Sequence, residues 1–237
     1  TLNTSSLPIG VTAAPTTLTF TSGNWNVPQD VTLTPTALLD GTFQGKRVGT
    51  IQYATASVDP TYDALLIADT PVSITDTDDF NRSNHTNLGP HWTERAGDSN
   101  VLSQALAGSA TATNLIMLNS AALAGAVVQA DVVLPTVGSS AGLVTRYAGP
   151  GESNFYVGML TKTSTGYEAY IYRNVNGQYV LLTSHAVAGF TGAGSLRFEI
   201  AGTYLKLFVN NSLRLVATDN KIIAAGQVGI RTRGGAR

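Results

Sequence analysis

Alternation of apolar and polar residues is the feature that most constrains the fold of this chain. Residues 15–35 read PTTLTFTSGNWNVPQDVTLTP, two alternating runs on either side of a turn-forming cluster that contains a Trp. In each run the apolar side chains share one face and the threonines share the other. This is the pattern of two half-buried antiparallel strands, which we predict over 15–21 and 29–35.

The rest of the chain repeats this pattern of short strands, Thr-rich faces and Gly or Asn turns. Asn176 and Gly177 lie between two alternating runs and predict a two-residue hairpin, because both tolerate positive φ. The spacing of the runs predicts an all-β sandwich or jelly roll. Further strands are predicted near 47–56, 69–76, 91–94, 101–105, 113–118, 125–134, 141–147, 154–161, 166–173, 178–183, 194–201, 203–209, 212–218 and 226–232.

Composition narrows the class of protein. Charged residues make up 12% of the 237 residues and the net charge is -1, so no broad field attracts nucleic acid or an anionic membrane. The absence of Cys excludes disulfides, thiolate zinc sites and a Cys nucleophile. No run approaches the roughly 18 apolar residues of a membrane span. A neutral, hydroxyl-rich surface favours a secreted bacterial β protein, and we expect the chain to be part of a longer polypeptide.

A domain boundary is predicted at residues 75–80, TDTDDF, where one alternating pattern ends and another begins. Residues 1–78 resemble the Calx-β-like domains of bacterial surface proteins, which are Ig-like sandwiches. Such domains are usually longer at their N-terminus, so the resemblance implies a copy that is incomplete there. The residues that carry it are 18–20, 24–26, 28–29, 31–34, 56–62 and 72–78.

Residues 79–237 resemble the laminin-G-like, concanavalin-type jelly rolls of bacteria. Both resemblances imply an extracellular or cell-surface protein, and neither implies an enzyme. The residues that carry the second resemblance are 79–82, 87–89, Trp92, 142–147, 154–156, 194–198, 205–208 and 226–230.

The acidic link between the two patterns is a candidate calcium site. Asp76 and Asp78 are two residues apart, so on a continued strand they share one side, about 6.6 Å apart. Calcium takes six to eight oxygen ligands, and clustered Asp side chains supply some of them. The Calx-β resemblance implies that Asp40, Asp76, Asp78 and Asp79 take part, although Leu39 and Gln44 replace acidic residues that are usual there. The alternative is a solvated turn whose Asp side chains cap backbone N–H groups.

Aromatic residues cluster between positions 147 and 179 and indicate a candidate glycan-binding face. Glu168, Tyr170 and Tyr172 share one face of the strand predicted at 166–173. We expect Arg146 and Tyr156, on neighbouring strands, to line the same groove. The alternative is that these aromatic residues are strand formers with buried rings.

Neither an HExxH nor a phosphate-loop pattern occurs in the sequence, and we expect no nucleophile elbow. Retaining glycosidases need two carboxyl groups about 5 Å apart, and Glu168 is the one acid on the candidate strand. We therefore predict a noncatalytic extracellular adhesion or glycan-binding module that binds a glycan or a surface protein. One alternative is a subunit of a surface layer or filament, completed by strand donation between copies. Another is a polysaccharide-processing enzyme.

Overall fold

The computed structural model describes residues 2–3, 7–8, 10–35, 46–75, 78–119 and 122–237. These residues form strands joined by turns, and none of them lies in a helix. The predicted all-β fold class is therefore confirmed. In the described part of the chain no helix is long and apolar enough to cross a bilayer. The chain divides into two compact units, Thr1–Thr77 and Asp78–Arg237.

The first unit contains short strands in two small antiparallel sheets. The strands are β1 (Leu2–Asn3), β2 (Val11–Ala14), β3 (Thr32–Pro35), β4 (Lys46–Tyr53) and β5 (Thr70–Thr75). The sheet orders are β1-β4-β5 and β2-β3. Among the aliphatic and aromatic side chains described in this unit, only Pro8 and Ile51 are buried, while Phe20, Trp25 and Leu66 are each more than half exposed.

The prediction of a strand at 15–21 is wrong. The following strand, β3, pairs with β2 and not with residues 15–21. Side chains bind the backbone of the predicted segment. The side-chain amide of Asn24 donates to the Thr19 carbonyl at 3.1 Å, and that of Gln29 donates to the same carbonyl at 2.8 Å. The Thr21 N–H donates to Asn24 Oδ1 at 2.5 Å. These local bonds occupy backbone groups that a neighbouring strand would need.

The second unit contains the remaining strands. They are β6 (Trp92–Ala96), β7 (Ser99–Leu102), β8 (Ala105–Gly108), β9 (Thr113–Leu118), β10 (Ala126–Val133), β11 (Ser140–Tyr147), β12 (Phe155–Thr163), β13 (Gly166–Val175), β14 (Gln178–Ala186), β15 (Ala193–Ala201), β16 (Tyr204–Val209), β17 (Ser212–Thr218) and β18 (Gln227–Arg233).

These strands form a sandwich of two antiparallel sheets and one separate hairpin. One sheet has the order β14-β13-β12-β11-β18-β9-β6, the other has the order β10-β15-β16-β17, and β7 pairs with β8. The predicted hairpin at Asn176 and Gly177 is confirmed, with φ values of 52° and 78° at the two residues. It joins β13 to β14 and so fixes their register.

The main core lies between the seven-stranded and the four-stranded sheet. Leu143 and Ile171 of the larger sheet and Phe198 and Leu205 of the smaller sheet belong to one buried cluster. Strand side chains point alternately to the two faces, so the residues between these in sequence lie on the outer face. The outer face is defined here as the side of the seven-stranded sheet turned away from the four-stranded sheet.

Candidate functional site

Cross-strand register decides which side chains meet on the outer face. Glu168, Tyr170 and Tyr172 alternate along β13 with residues of the main core, so they share the outer face as their spacing predicts. Their partners on β12 are Thr161, Met159 and Val157, and their partners on β14 are Ala186, Ser184 and Leu181.

A line of mostly polar residues, named here the polar row, crosses the outer face beside Tyr170. Its members lie opposite one another on successive strands and are Arg233, Ser140, Thr161, Glu168 and Ala186. Because neighbouring strands lie about 4.8 Å apart, the backbones at Arg233 and Glu168 are about 14 Å apart. The polar row therefore places guanidinium, hydroxyl and carboxylate groups along one line across the sheet.

Aromatic rings contact one another next to the polar row. The rings of Tyr170 and Tyr172 stack with centroids 5.6 Å apart and planes 25° apart. Tyr179 of β14 meets Tyr172 nearly edge-on at 6.0 Å and also meets Phe155 at 6.0 Å. Tyr170 is the end of this series that lies against the polar row, and its ring is partly exposed.

A charged bridge spans the middle of the outer face. Arg231 Nε donates to Glu152 Oε1 at 2.6 Å, and the Tyr179 hydroxyl donates to the same oxygen at 2.6 Å. The guanidinium of Arg231 also lies 5.5 Å from the centre of the Tyr179 ring. Arg231 stands opposite Gly142 in register, and no side chain at position 142 separates it from Met159, whose Sδ is 3.6 Å from its Nη1.

A second hydrophobic cluster fills the other part of the outer face. Its members come from β9, β11 and β12 and are all almost completely buried: Leu115, Met117, Val144, Tyr147, Phe155 and Val157. This half of the face is therefore closed to a ligand. The open surface is the part that carries Tyr170 and the polar row, in which Ser140 is buried and the other four members are partly or fully exposed.

The hydroxyls of Tyr170 and Tyr179 both have raised pKa values. Burial raises the pKa of Tyr170 to about 12, and the hydrogen bond to the Glu168 carboxylate raises it as well. Burial likewise raises the pKa of Tyr179 to about 12, with a further contribution from its hydrogen bond to Glu152. At neutral pH both hydroxyls are therefore neutral donors anchored to carboxylates.

Arg146 does not lie on the outer face, so the prediction that it lines a groove with Tyr170 is wrong. Its φ is +53°, at a register irregularity between Val144 and Tyr147. This bulge turns the side chain inward, where it is 3% exposed. The guanidinium donates at 2.6–2.9 Å to the backbone carbonyls of Ala124, Gly202 and Ile222. Arg146 therefore ties three loops together.

Tyr156 also lies on the opposite face from Tyr172, because its partner on β13 is Arg173. Its ring is completely buried in the main core. The hydroxyl donates to Asp219 Oδ1 at 2.5 Å and accepts from the Ile222 N–H at 3.0 Å, while Arg173 donates to the other oxygen of Asp219. The predicted groove position is wrong, since a register shift of one residue exchanges the two faces.

Asp78 anchors the start of the second unit. Its carboxylate accepts from Arg82 Nη1 at 2.8 Å, from Trp92 Nε1 at 2.7 Å and from the Phe80 N–H at 2.8 Å. Burial alone would raise the pKa of this carboxyl, but the hydrogen bonds from Arg82 and Trp92 outweigh it and hold the pKa below its usual value. The carboxylate is thus a structural acceptor.

The predicted calcium ligands are only partly described. Asp40 and Asp76 lie outside the described residues. Asp79 is exposed and accepts from the Asn81 N–H at 2.9 Å, whereas Asp78 does not fit a calcium ligand because Arg82, Trp92 and the backbone already bind its oxygens. Within the described ranges no three His, Asp or Glu side chains gather as a metal site would require. Calcium binding at this link stays a prediction.

Tyr179, Glu152 and Arg231 were not assigned to the predicted site. Tyr179 follows the hairpin turn, so the turn itself places it opposite Asn174, and this signal was available in the sequence. Glu152 and Arg231 are 79 residues apart, and no local pattern indicates that they meet.

Comparisons with known proteins support the fold. No protein-family model matches the sequence, and no curated protein matches it significantly. The structure is similar to the carbohydrate binding module CBM66 from Bacillus subtilis, with 16% identity and a TM-score of 0.54, covering 62% of this chain and 89% of that chain. It is also similar to the GH43 BlXynB protein from Bacillus licheniformis, with 13% identity and a TM-score of 0.51, covering 80% of this chain and 47% of that chain.

At these identities the similarity concerns the fold, which is a jelly-roll sandwich of the kind found in the carbohydrate binding module. The resemblance of residues 1–78 to Calx-β-like domains has no counterpart among these findings and stays a prediction.

Proposed function

We propose that the protein is a noncatalytic glycan-binding module, with its site at Tyr170 and the polar row. The observation that carries this proposal is the partly exposed Tyr170 ring, stacked on Tyr172 and bordered by Glu168 and Thr161. The fold similarity to a carbohydrate binding module agrees with it.

The chemistry of the open surface suits a sugar. A sugar ring presents C–H groups that pack on an aromatic face and hydroxyls that need polar partners at fixed positions. Tyr170 offers the aromatic face, and Glu168 offers acceptors directly beside it. Because the Tyr170 ring stacks on Tyr172, little side-chain freedom is lost when a ligand binds.

The carboxylates on this face favour binding over hydrolysis. Glycosidases use a pair of carboxyl groups, one of which acts as a general acid and must be protonated. Glu152 is held in an ion pair by Arg231 at 2.6 Å. Glu168 accepts a hydrogen bond from the Tyr170 hydroxyl. Both carboxylates thus have structural partners, and we propose that the module is not an enzyme.

A glycan array carrying bacterial, fungal and plant polysaccharides tests the proposal. We expect the full chain to bind at least one glycan, and Tyr170→Ala to weaken binding about tenfold through loss of the stacking surface. The matched control is Tyr204→Ala, which removes an exposed tyrosine of β16 on the other sheet and should leave binding unchanged. A blank array, or equal binding by both variants, would refute the proposed site.

We further propose an extracellular setting in which the module attaches a bacterial surface protein to a glycan. The hydroxyl-rich composition, the lack of Cys and the sequence resemblances support this setting. Calcium at the acidic link belongs to the same proposal, with Asp40, Asp76 and Asp79 as the candidate ligands. Isothermal titration of the full chain with calcium chloride tests it, and heat at the dilution baseline up to millimolar metal would remove calcium from the account.

A further inference from the structure

The edge strand β14 has a free side. One side pairs with β13, and no strand in the described part of the chain pairs with the other. Its sequence, QYVLLTSHA, contains no Lys, Arg, Asp, Glu or Pro. Tyr179, Val180 and Leu181 are 40%, 42% and 49% exposed. An uncharged, apolar strand with unpaired backbone groups is a template for another strand.

The other edges of the sandwich are protected. β6 carries Glu94 and Arg95 at a register irregularity, β17 carries Arg214 at another, and β10 carries Asp131. Charges and bulges are the usual devices that prevent edge-to-edge pairing. β14 has one such device, a bulge at Leu182. Residues 178–181 lie before this bulge and pair with β13 without interruption. Among the edge strands of the two described sheets, β14 is the one that combines apolar exposure with lack of charge.

We propose that β14 pairs antiparallel with β14 of a second copy of this chain, with Val180 facing its own counterpart across a two-fold axis. Residues opposite each other in an antiparallel pair share a face. In this register Tyr179 of each copy faces Leu181 of the other on the outer side, and the two Val180 side chains meet on the opposite side.

The segment is complementary to itself in this register. Two aromatic–aliphatic pairs and one Val–Val pair form, and cross-strand pairs of this kind stabilise sheets. No like charges come together, because the segment carries none. A two-fold contact of this type closes on itself and yields a dimer.

The dimer would join two seven-stranded sheets into one continuous sheet. The polar row and Tyr170 of both copies would then lie on the same outer face. Two linked sites bind a polymeric ligand more tightly than one, because the second contact is intramolecular. The pairing itself does not depend on the ligand, so it is tested without any glycan.

Analytical ultracentrifugation of the full chain is the first test. We expect the apparent mass to rise with concentration from the 24.7 kDa of one chain toward that of a dimer. Val180→Lys places two ammonium groups at the axis and should raise the dimer Kd at least about tenfold. The control Val127→Lys changes an exposed valine on β10, at the far edge of the other sheet, and should not affect it.

Single-cysteine cross-linking is the second test. The chain has no Cys, so Val180→Cys introduces one thiol that would face its counterpart within disulfide distance. We expect oxidation to give covalent dimers of Val180→Cys and not of Val127→Cys. A wild-type chain that stays monomeric at high micromolar concentration would overturn the proposal. So would equal cross-linking of the two variants, or a dimer that Val180→Lys leaves intact.

Discussion

The two units of the chain share one sequence pattern but differ in what their strands bury. In the second unit alternate side chains of two sheets meet in a continuous core, with Leu143, Ile171 and Phe198 almost fully buried. In the first unit Pro8 and Ile51 are the only buried aliphatic or aromatic side chains among those described. Phe20, in one of the regular alternating runs of the sequence, is exposed, and so is Trp25 in the turn-forming cluster beside it.

The difference shows that alternation determines the faces of a strand but does not guarantee a core. A sheet face is buried only when a second layer covers it. The four-stranded sheet covers one face of the larger sheet in the second unit. The described strands of the first unit form only small sheets of two and three strands. Stability and a rigid site are therefore expected in the second unit.

The largest test of this contrast is truncation of a core side chain. Phe198 is fully buried and fills the space beside Gly158, where a Cβ would lie 2.5 Å from its ring. Phe198→Ala should lower the free energy of unfolding by about 3–5 kcal/mol. Phe20→Ala in the first unit should change it by less than about 0.5 kcal/mol. Urea denaturation of both variants measures this, and similar losses would contradict the contrast.

A somewhat smaller loss is expected when the buried guanidinium is removed. Arg146→Met leaves the carbonyls of Ala124, Gly202 and Ile222 without their donors, which should cost about 3 kcal/mol. Arg146→Lys should recover only part of the loss, because one ammonium group cannot reproduce the planar fork. Exposed Arg95→Met is the control. If Arg146→Met unfolds at the same urea midpoint as the wild type, the inward position of the Arg146 side chain is wrong.

The next largest effect is expected at alkaline pH, which should lower the free energy of unfolding of the second unit. Burial, with the hydrogen bond to Asp219, raises the pKa of Tyr156 to about 12. The folded state therefore holds this proton more tightly than the unfolded state, and the resulting stability, about 2 kcal/mol, is present below pH 10 and lost as pH rises from about 10 to 12. Thermal melts of wild type and Tyr156→Phe across this range measure it. If the stability of the wild type and of Tyr156→Phe falls in parallel over this pH range, Tyr156 is not the group responsible.

Acid should have the smallest effect. The pKa of Asp78 is lowered in the folded state, so its contribution is present above the unfolded value and is lost as pH falls through the folded value. Asp78→Asn should therefore lose less stability than the wild type when the pH falls from 7 to below the usual pKa of Asp, as acid titrations followed by thermal melts would measure. Asp79→Asn, at the exposed neighbouring position, is the control. An unchanged acid profile in Asp78→Asn would place the acid-sensitive group elsewhere.

The parts of the fold that depend on local signals followed from the sequence. The hairpin at Asn176 and Gly177 needs only two residues that accept positive φ. The shared face of Glu168, Tyr170 and Tyr172 needs only the two-residue period of a strand. The segment 15–21 fails for a local reason too, because the side chains of Asn24 and Gln29 bind its backbone.

The parts of the candidate site that depend on strand register could not be predicted from the sequence. Arg146 leaves the outer face because a bulge interrupts the alternation of β11. Tyr156 leaves it because pairing with Arg173 is set by the whole hairpin between β12 and β13. The meeting of Glu152 and Arg231 depends on chain segments far apart in sequence. Bulges and long-range pairing are properties of the folded sheet. The local pattern of apolar and polar residues does not indicate where they occur.

Native-state hydrogen exchange of the full chain tests the central claim most directly, because it measures each unit in the same sample. Strands at the centre of a packed sandwich exchange only through global unfolding, whereas strands without a core exchange through local opening. We expect amides of β11, β12 and β13 to exchange slowest and to share one opening free energy, while those of β2 and β4 exchange orders of magnitude faster. Equal protection of β4 and β12 would contradict it.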